Sequence, residues 1–144
     1  MHVRISTKGR YALRLMLDLA ENNTGEPVRL KDVARRQEVS EKYLEQIISV
    51  LNKSGYVRSI RGPMGGYILS NPPSEYTVGM ILRLTEGSLS PVECIEDDTI
   101  CHRQESCVTK YVWTKIAEAV NNVVDHITLE DLKTLGSEGS TYII

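Results

Sequence analysis

The stretch VRLKDVARRQEVSEKYLEQIISVLNKSGYV, residues 28–57, constrains the fold more than any other part of the chain. It reads as a short helix from about Leu30 to Gln37, a tight turn, and a second helix opening after the cap Ser40. Leu44, Ile47, Ile48 and Leu51 supply the inner face of that second helix, and Gly55 suits a left-handed exit. Two short helices joined by so brief a turn suggest a helix-turn-helix. The adjoining segment YVRSIRGPMGGYIL has strand composition over Tyr56 to Ile60 and Tyr67 to Leu69, separated by a loop rich in Gly and Pro. A β-hairpin directly after a helix-turn-helix makes a wing.

The remaining segments read as helices and linkers. Thr7 is expected to cap a first helix whose Tyr11, Ala12, Leu15, Met16, Leu19 and Ala20 form one apolar stripe, ended by Asn22, Asn23 and Gly25. NPPSEY is a linker, because adjacent prolines continue neither regular structure. Thr77 then caps a helix with Val78, Ile81 and Leu82, closed by Gly87. Farther on, Val108, Val112, Ile116, Val120, Val124 and Ile127 recur at mostly four-residue intervals, which predicts one helix of about 20 residues, some 30 Å long. A chain this size has little of its own to cover such a helix. A seam between two copies is therefore expected, with an ordinary core helix as the alternative. Thr128 and Asp131 stand at capping-box spacing before a last short helix, and Gly136 to Ser140 read as a mobile approach to the terminal TYII. The expected fold is mainly α with a small β-hairpin: a winged helix-turn-helix with a long C-terminal dimerisation helix. It divides into residues 1–71 as the DNA-binding region, 72–107 as a connecting helix and cysteine-rich loop, and 108–144 as the dimerisation and C-terminal helices.

Charge separates along the same line. Residues 1–71 hold 12 Lys and Arg against 7 Asp and Glu, whereas residues 72–144 hold 5 against 12. A basic half joined to an acidic half points to nucleic acid at the basic end; two solvated faces of differing sign is the plainer account. On the second helix of the motif, Glu41, Lys42, Tyr43, Glu45, Gln46 and Ser49 fall on or near the exposed side, beside the cap Ser40. Gln46 matches adenine and Glu45 can accept from cytosine. Lys8, Arg10, Lys42 and Arg58 suit phosphates, which supply affinity without reading sequence. Arg61, beside Gly62 at the wing tip, has an electrostatic reason to enter a narrow minor groove.

All three cysteines fall in one acidic segment, CIEDDTICHRQESC, as Cys94-x6-Cys101-x5-Cys107. An odd number excludes complete internal pairing, and with no secretory cleavage pattern at the start the expectation is a cytoplasmic protein with reduced thiols. No apolar stretch approaches the roughly 18 residues of a membrane span, so no membrane association is expected. Carboxylates raise a thiol pKa where a nucleophile needs it lowered, which argues against a thiol enzyme; no small-molecule substrate is expected. The segment suits a cation instead. Several soft sulfur ligands favour an iron-sulfur cluster, zinc or copper(I), with zinc in an interaction module as a rival. Cys107 would lie near the positive end of the following helix. His102 is the nearest candidate for a fourth ligand, and a residue of a partner subunit is the other.

ISTKGRYALRLMLDLA, YLEQIISVLNKSGYVRSIRGPMGGYIL and CVTKYVW with ITLEDL resemble the IscR-like winged-helix repressors over nearly the whole chain. That family includes regulators of iron-sulfur assembly, nitric-oxide sensors, iron-response regulators and a cysteine-metabolism repressor. The resemblance implies a homodimeric, non-enzymatic regulator of transcription reading a palindromic operator in double-stranded DNA. It implies Cys94, Cys101 and Cys107 as ligands of a cluster, most commonly 2Fe-2S, and a role in controlling iron-sulfur biogenesis genes. The pattern departs at two places: assembly regulators have five residues between the first two cysteines, and a histidine where this chain has Lys110. LSPVECIEDD and TYII are similar to the cysteine-metabolism repressors, which carry no cluster, act with an enzyme partner and lack this set of three cysteines.

Overall fold

The computed structural model describes residues 4–96 and 107–138, and gives no side-chain description for Cys94. Its helices are α1 (Thr7–Glu21), α2 (Leu30–Gln37), α3 (Glu41–Lys53), α4 (Val78–Glu86), α5 (Lys110–Val124) and α6 (Leu129–Ser137), with strands β1 (Val57–Ile60) and β2 (Gly66–Leu69). Two 3-10 turns cover Pro73–Glu75 and Glu93–Ile95.

Each boundary has a local cause. Ser6, not Thr7, caps α1: its backbone is extended and its hydroxyl accepts from Gly9 N at 3.0 Å, leaving Thr7 as the first helical residue. Between α2 and α3, Glu38 takes the left-handed conformation at φ 55° that reverses the chain. Ser40 then caps α3, its Oγ accepting from Tyr43 N at 3.1 Å. At the other end of α3, Gly55 at φ 79° allows Tyr56 N to reach Leu51 O at 3.0 Å and Gly55 N to reach Asn52 O at 3.1 Å, a Schellman closure. The hairpin is antiparallel with Val57 opposite Leu69 and Ile60 opposite Gly66. Val28 adds a bridge to Tyr67, so the wing is welded to the chain entering α2.

The stripe expected on α1 is buried, with Leu15 and Met16 fully inaccessible, and it meets Val33 of α2, Leu44, Ile47 and Leu51 of α3, Ile81 of α4 and Leu129 of α6. Tyr76 reaches into this core from the linker. It is accommodated because its hydroxyl donates to Tyr56 O at 2.7 Å and accepts from Asn71 N at 3.1 Å. The capping box of α6 forms despite the short aspartate: Asp131 N donates to Thr128 Oγ1 at 3.1 Å and Thr128 N to Asp131 Oδ2 at 2.9 Å.

Two further expectations are corrected. The long helix has 15 residues, not about 20. Val108 and Thr109 form the turn that leads into it, and at the far end Val78 N takes the Ile127 carbonyl at 2.8 Å, drawing residues 127–128 out of the helix into a bridge between Thr77 and Thr128. Gly136 and Ser137 belong to α6 rather than to an approach segment; residues 139–144 lie outside the described set. α5 buries none of its own side chains, and leaves Tyr111 68%, Val123 57% and Val112 47% exposed.

Candidate nucleic-acid interface and cysteine segment

With Leu44, Ile47, Ile48 and Leu51 turned inward, α3 presents Glu41, Lys42, Glu45, Gln46 and Ser49 to solvent as one outer row. Tyr43 is different. It is half-buried, its ring meeting the Tyr11 ring edge-on at 5.9 Å, and the Arg14 guanidinium covers the Tyr11 face at 4.9 Å. The Ser40 hydroxyl is committed to the cap of α3. Helix α2 is fixed across α1 by a buried carboxylate: Asp18, 2% exposed, accepts from Arg36 Nε at 3.0 Å, Arg36 Nη2 at 2.6 Å and Gln37 Nε2 at 2.9 Å. The hydrogen bond to Asp18 is the main reason that the Arg36 guanidinium holds its proton even more tightly than usual.

Lys8, half-buried, and Arg10, exposed, stand in the first turn of α1. That turn is anchored by α4, because Glu86 Oε1 accepts from both Ser6 N at 3.0 Å and Ser6 Oγ at 2.5 Å. On the wing, Arg58 and Arg61 are exposed, and Gly62 turns the loop at φ 114°, a conformation that favours glycine. The tip carbonyl of Pro63 accepts from Arg29 Nη2 at 2.5 Å. Neither Arg29 nor Glu86 stands out in the sequence, since each acts on a residue 34 or 80 positions away.

The cysteine segment begins and ends at α5. Cys94 lies in the turn Glu93–Ile95, which packs on α5, and Cys107 comes just before Thr109, the cap position of that helix. Cys107 is half-buried with Sγ 3.2 Å from Thr109 Oγ1. Lys110 is the first helical residue. Cys101, His102 and the rest of 97–106 lie outside the described residues, as does the Cys94 side chain. Among the described residues no three His, Cys, Asp or Glu side chains gather as a metal site. Of the three thiols only that of Cys107 is described, a soft donor two residues ahead of the cap of α5, the helix against which the turn holding Cys94 is packed.

On the other side, α4 is clamped to α5. Arg83 donates through Nη1 to Asp125 Oδ1 at 2.5 Å, and through Nη2 to Asn121 Oδ1 at 2.7 Å and Asp125 Oδ2 at 3.1 Å. That hydrogen bonding holds the Asp125 carboxyl below its ordinary range. A groove of about 860 Å³ runs between the start of α1, α4 and α5, walled by Ile5, Leu82, Leu89, Val120 and Val123 and edged by Arg10 and Glu86. Among the described residues no helix is long and apolar enough to cross a membrane.

A helix-turn-helix with an outward polar row, followed by a basic wing, defines a winged helix DNA-binding regulator of transcription. Comparison with known proteins narrows this. The chain belongs to the Rrf2 family, described as iron-dependent transcriptional regulators, which it matches over residues 5–134. It is 45% identical over 130 residues to the HTH-type transcriptional regulator CymR of Bacillus subtilis, covering 90% of this chain and 89% of that one. It is 37% identical over 130 residues to the HTH-type transcriptional regulator IscR of Pectobacterium atrosepticum, covering 90% and 79%. Among solved structures it is similar to that of CymR, the global cysteine regulator of B. subtilis, with TM-score 0.78, 43% identity and coverage of 92% and 97%. It is also similar to the T. potens IscR structure, with TM-score 0.76, 41% identity and coverage of 98% and 92%. The relatives are regulators, and this chain is a regulator rather than an enzyme.

Proposed function

We propose that the protein is a cytoplasmic, homodimeric regulator that reads a palindromic operator in double-stranded DNA and senses iron-sulfur status, controlling iron-sulfur biogenesis genes. In this reading Glu45 and Gln46 meet base edges in the major groove, with Ser40, Glu41, Lys42 and Tyr43 around them. Lys8, Arg10, Lys42 and Arg58 meet phosphates, and Arg61 with Gly62 enters the minor groove. Residues 1–71 read DNA, 72–107 connect and hold the cluster, and 108–144 pair the two copies through the exposed face of α5. Neither a membrane nor a small-molecule substrate takes part.

Cys94, Cys101 and Cys107 would hold the cluster, of the 2Fe-2S type; when bound it supplies an electron-accepting centre sensitive to iron supply and oxidants. Lysine is not among the side chains that ordinarily hold such clusters, so the fourth position falls to a group other than Lys110. The observation carrying this reading is that the cysteine segment starts in a turn packed on α5 and ends two residues before the cap of α5. Holding its ends together fixes the lead-in to the proposed pairing helix. The spacing of two recognition helices on DNA then depends on it.

The test is anaerobic purification with absorbance, iron and sulfide assays, followed by operator binding by cluster-loaded protein, apo protein and Cys101→Ala. Equal affinity and site preference in all three would reject sensing. A second reading, a repressor of cysteine-metabolism type acting with an enzyme partner, is favoured by the 45% identity to CymR of B. subtilis. It predicts colourless protein that cannot be reconstituted with iron and sulfide.

A further inference from the structure

The wing is gripped at base and tip by two consecutive residues. At the base, Val28 and Tyr67 exchange two backbone hydrogen bonds, each of 2.8 Å. Gly66 passes so close that a Cβ there would overlap the Val28 carbonyl oxygen. At the tip, Arg29 Nη2 donates to Pro63 O at 2.5 Å and lies 3.9 Å from Met64 Sδ. Arg29 occupies the cap position of α2 yet makes no side-chain bond to that helix. Its guanidinium is turned wholly to the wing. Among the described residues these two contacts from Arg29 are the only side-chain hydrogen bonds that reach residues 61–64.

The tip it holds is exposed, Met64 at 75%. Two strands of four residues do not by themselves fix the direction of a Gly- and Pro-rich tip. A minor groove about 6 Å wide leaves little tolerance for where an arginine arrives. An exposed hydrogen bond from a surface arginine adds little to folding stability. A bond of this kind matters chiefly for direction.

We propose that Arg29 is the positioning residue of the wing: it fixes the offset between α2–α3 and the hairpin tip, and so determines whether Arg61, with the Met64 side chain beside it, meets the minor groove while α3 occupies the major groove. This rests on the DNA reading above, and deepens it by naming the residue through which the wing acts.

The experiment begins with duplexes enriched from a random pool by wild-type protein. Affinities of wild type, Arg29→Ala, Arg61→Ala and the double variant are measured on the enriched duplex and on versions with A·T pairs changed to G·C under the wing. Arg29→Ala is expected to reduce the A·T preference under the wing about tenfold. The preference at pairs under α3 should be unchanged, and the melting midpoint should move by less than about 2 °C. In the Arg61→Ala background, Arg29→Ala should have little further effect, since it acts through Arg61. Additive losses, uniform over sequence and with a shallower salt dependence, would make Arg29 a phosphate contact and overturn the proposal. A large fall in melting midpoint for both Arg29→Ala and Arg29→Lys would overturn it too, as a structural role. If wild type enriches no sequence at all, the DNA reading fails and takes this proposal with it.

Discussion

Glu86, the last residue of α4, accepts hydrogen bonds from both the backbone nitrogen and the hydroxyl of Ser6, the residue that caps α1. The same Glu86 Oε1 occupies the space that a Cβ on Gly9 would need. A helix that would ordinarily prefer alanine by about 1 kcal/mol therefore keeps glycine near its start.

This gives a prediction with a change of sign. In the natural protein Gly9→Ala displaces the Glu86 carboxylate from two hydrogen bonds worth about 2 kcal/mol together, offset in part by the helix preference for alanine, so it should cost about 1 kcal/mol. In a Glu86→Ala background the same change should stabilise by some tenths up to about 1 kcal/mol, because the space is open and alanine favours the helix. Urea unfolding of the four proteins measures the cycle. Destabilisation of equal size in both backgrounds would show that Glu86 is not the obstacle.

The Asp18–Arg36 pair should be asymmetric. Arg36 has 34% of its side chain exposed, while Asp18 has 2%. Removing the arginine takes the counter-charge from a buried carboxylate and leaves it only the Gln37 and Asn22 amides, so Arg36→Ala should cost about 3 kcal/mol. Asp18→Asn leaves an arginine that can turn to water, so its cost should be about 1 kcal/mol. Equal midpoints in urea for the two variants would contradict this.

Two carboxyls give opposite pH dependences. Asp125 is held below its ordinary range by its hydrogen bond to Arg83, so its contribution is complete above the ordinary aspartate pKa, near 4, and is lost as pH falls through the lower folded value. Both partners are over a third exposed, which limits the contribution to about 0.5 kcal/mol. Glu21 is shifted up, first by desolvation and then by the Asp18 charge, so stability falls as pH rises through its folded value. Glu21→Gln should therefore raise the melting midpoint at pH 7 and leave it nearly unchanged at pH 3.5, whereas Asp125→Asn should lower it at pH 7 and matter least at the acid end. Thermal melts across pH 3 to 8 check both signs.

Pairing through α5 predicts that Val112→Glu and Val123→Glu give a monomer. Each places a charge in an apolar face where a second copy would pack. Sedimentation velocity reads the outcome, and circular dichroism should show the helical content largely retained, since neither residue enters the chain's own core. Dimers of undiminished stability in both variants would refute pairing through this helix.

Much of this architecture is legible in the sequence wherever local chemistry decides it. The limits of α2, the Ser40 cap, the Gly55 exit, the hairpin and the Thr128–Asp131 box all depend on residues within a few positions of one another. Legibility fails where distant groups intervene. Periodicity carries α5 out to Val108 and Ile127, but the Ile127 carbonyl is taken by Val78 from another helix. Adjacent Ser6 and Thr7 are chemically similar as caps, and Glu86, 80 positions on, bonds to the one that does the capping. Tyr43 has groove-facing chemistry by type, and only its contact with Tyr11 shows that it is half inside. The cysteines stand out by clustering alone; their relation to α5 needs the fold.

The bridge between Thr77 and Thr128 joins the first turns of α4 and α6, with Val78 N bonded to Ile127 O and Leu129 N to Tyr76 O. Leu129, delivered by this bridge, fills the centre of the domain that carries the reading helix. During synthesis, then, the N-terminal region emerges long before the residue that completes it. A nascent chain halted short of Leu129 should remain open to proteases, and maturation of the DNA reader should wait until α6 has been translated.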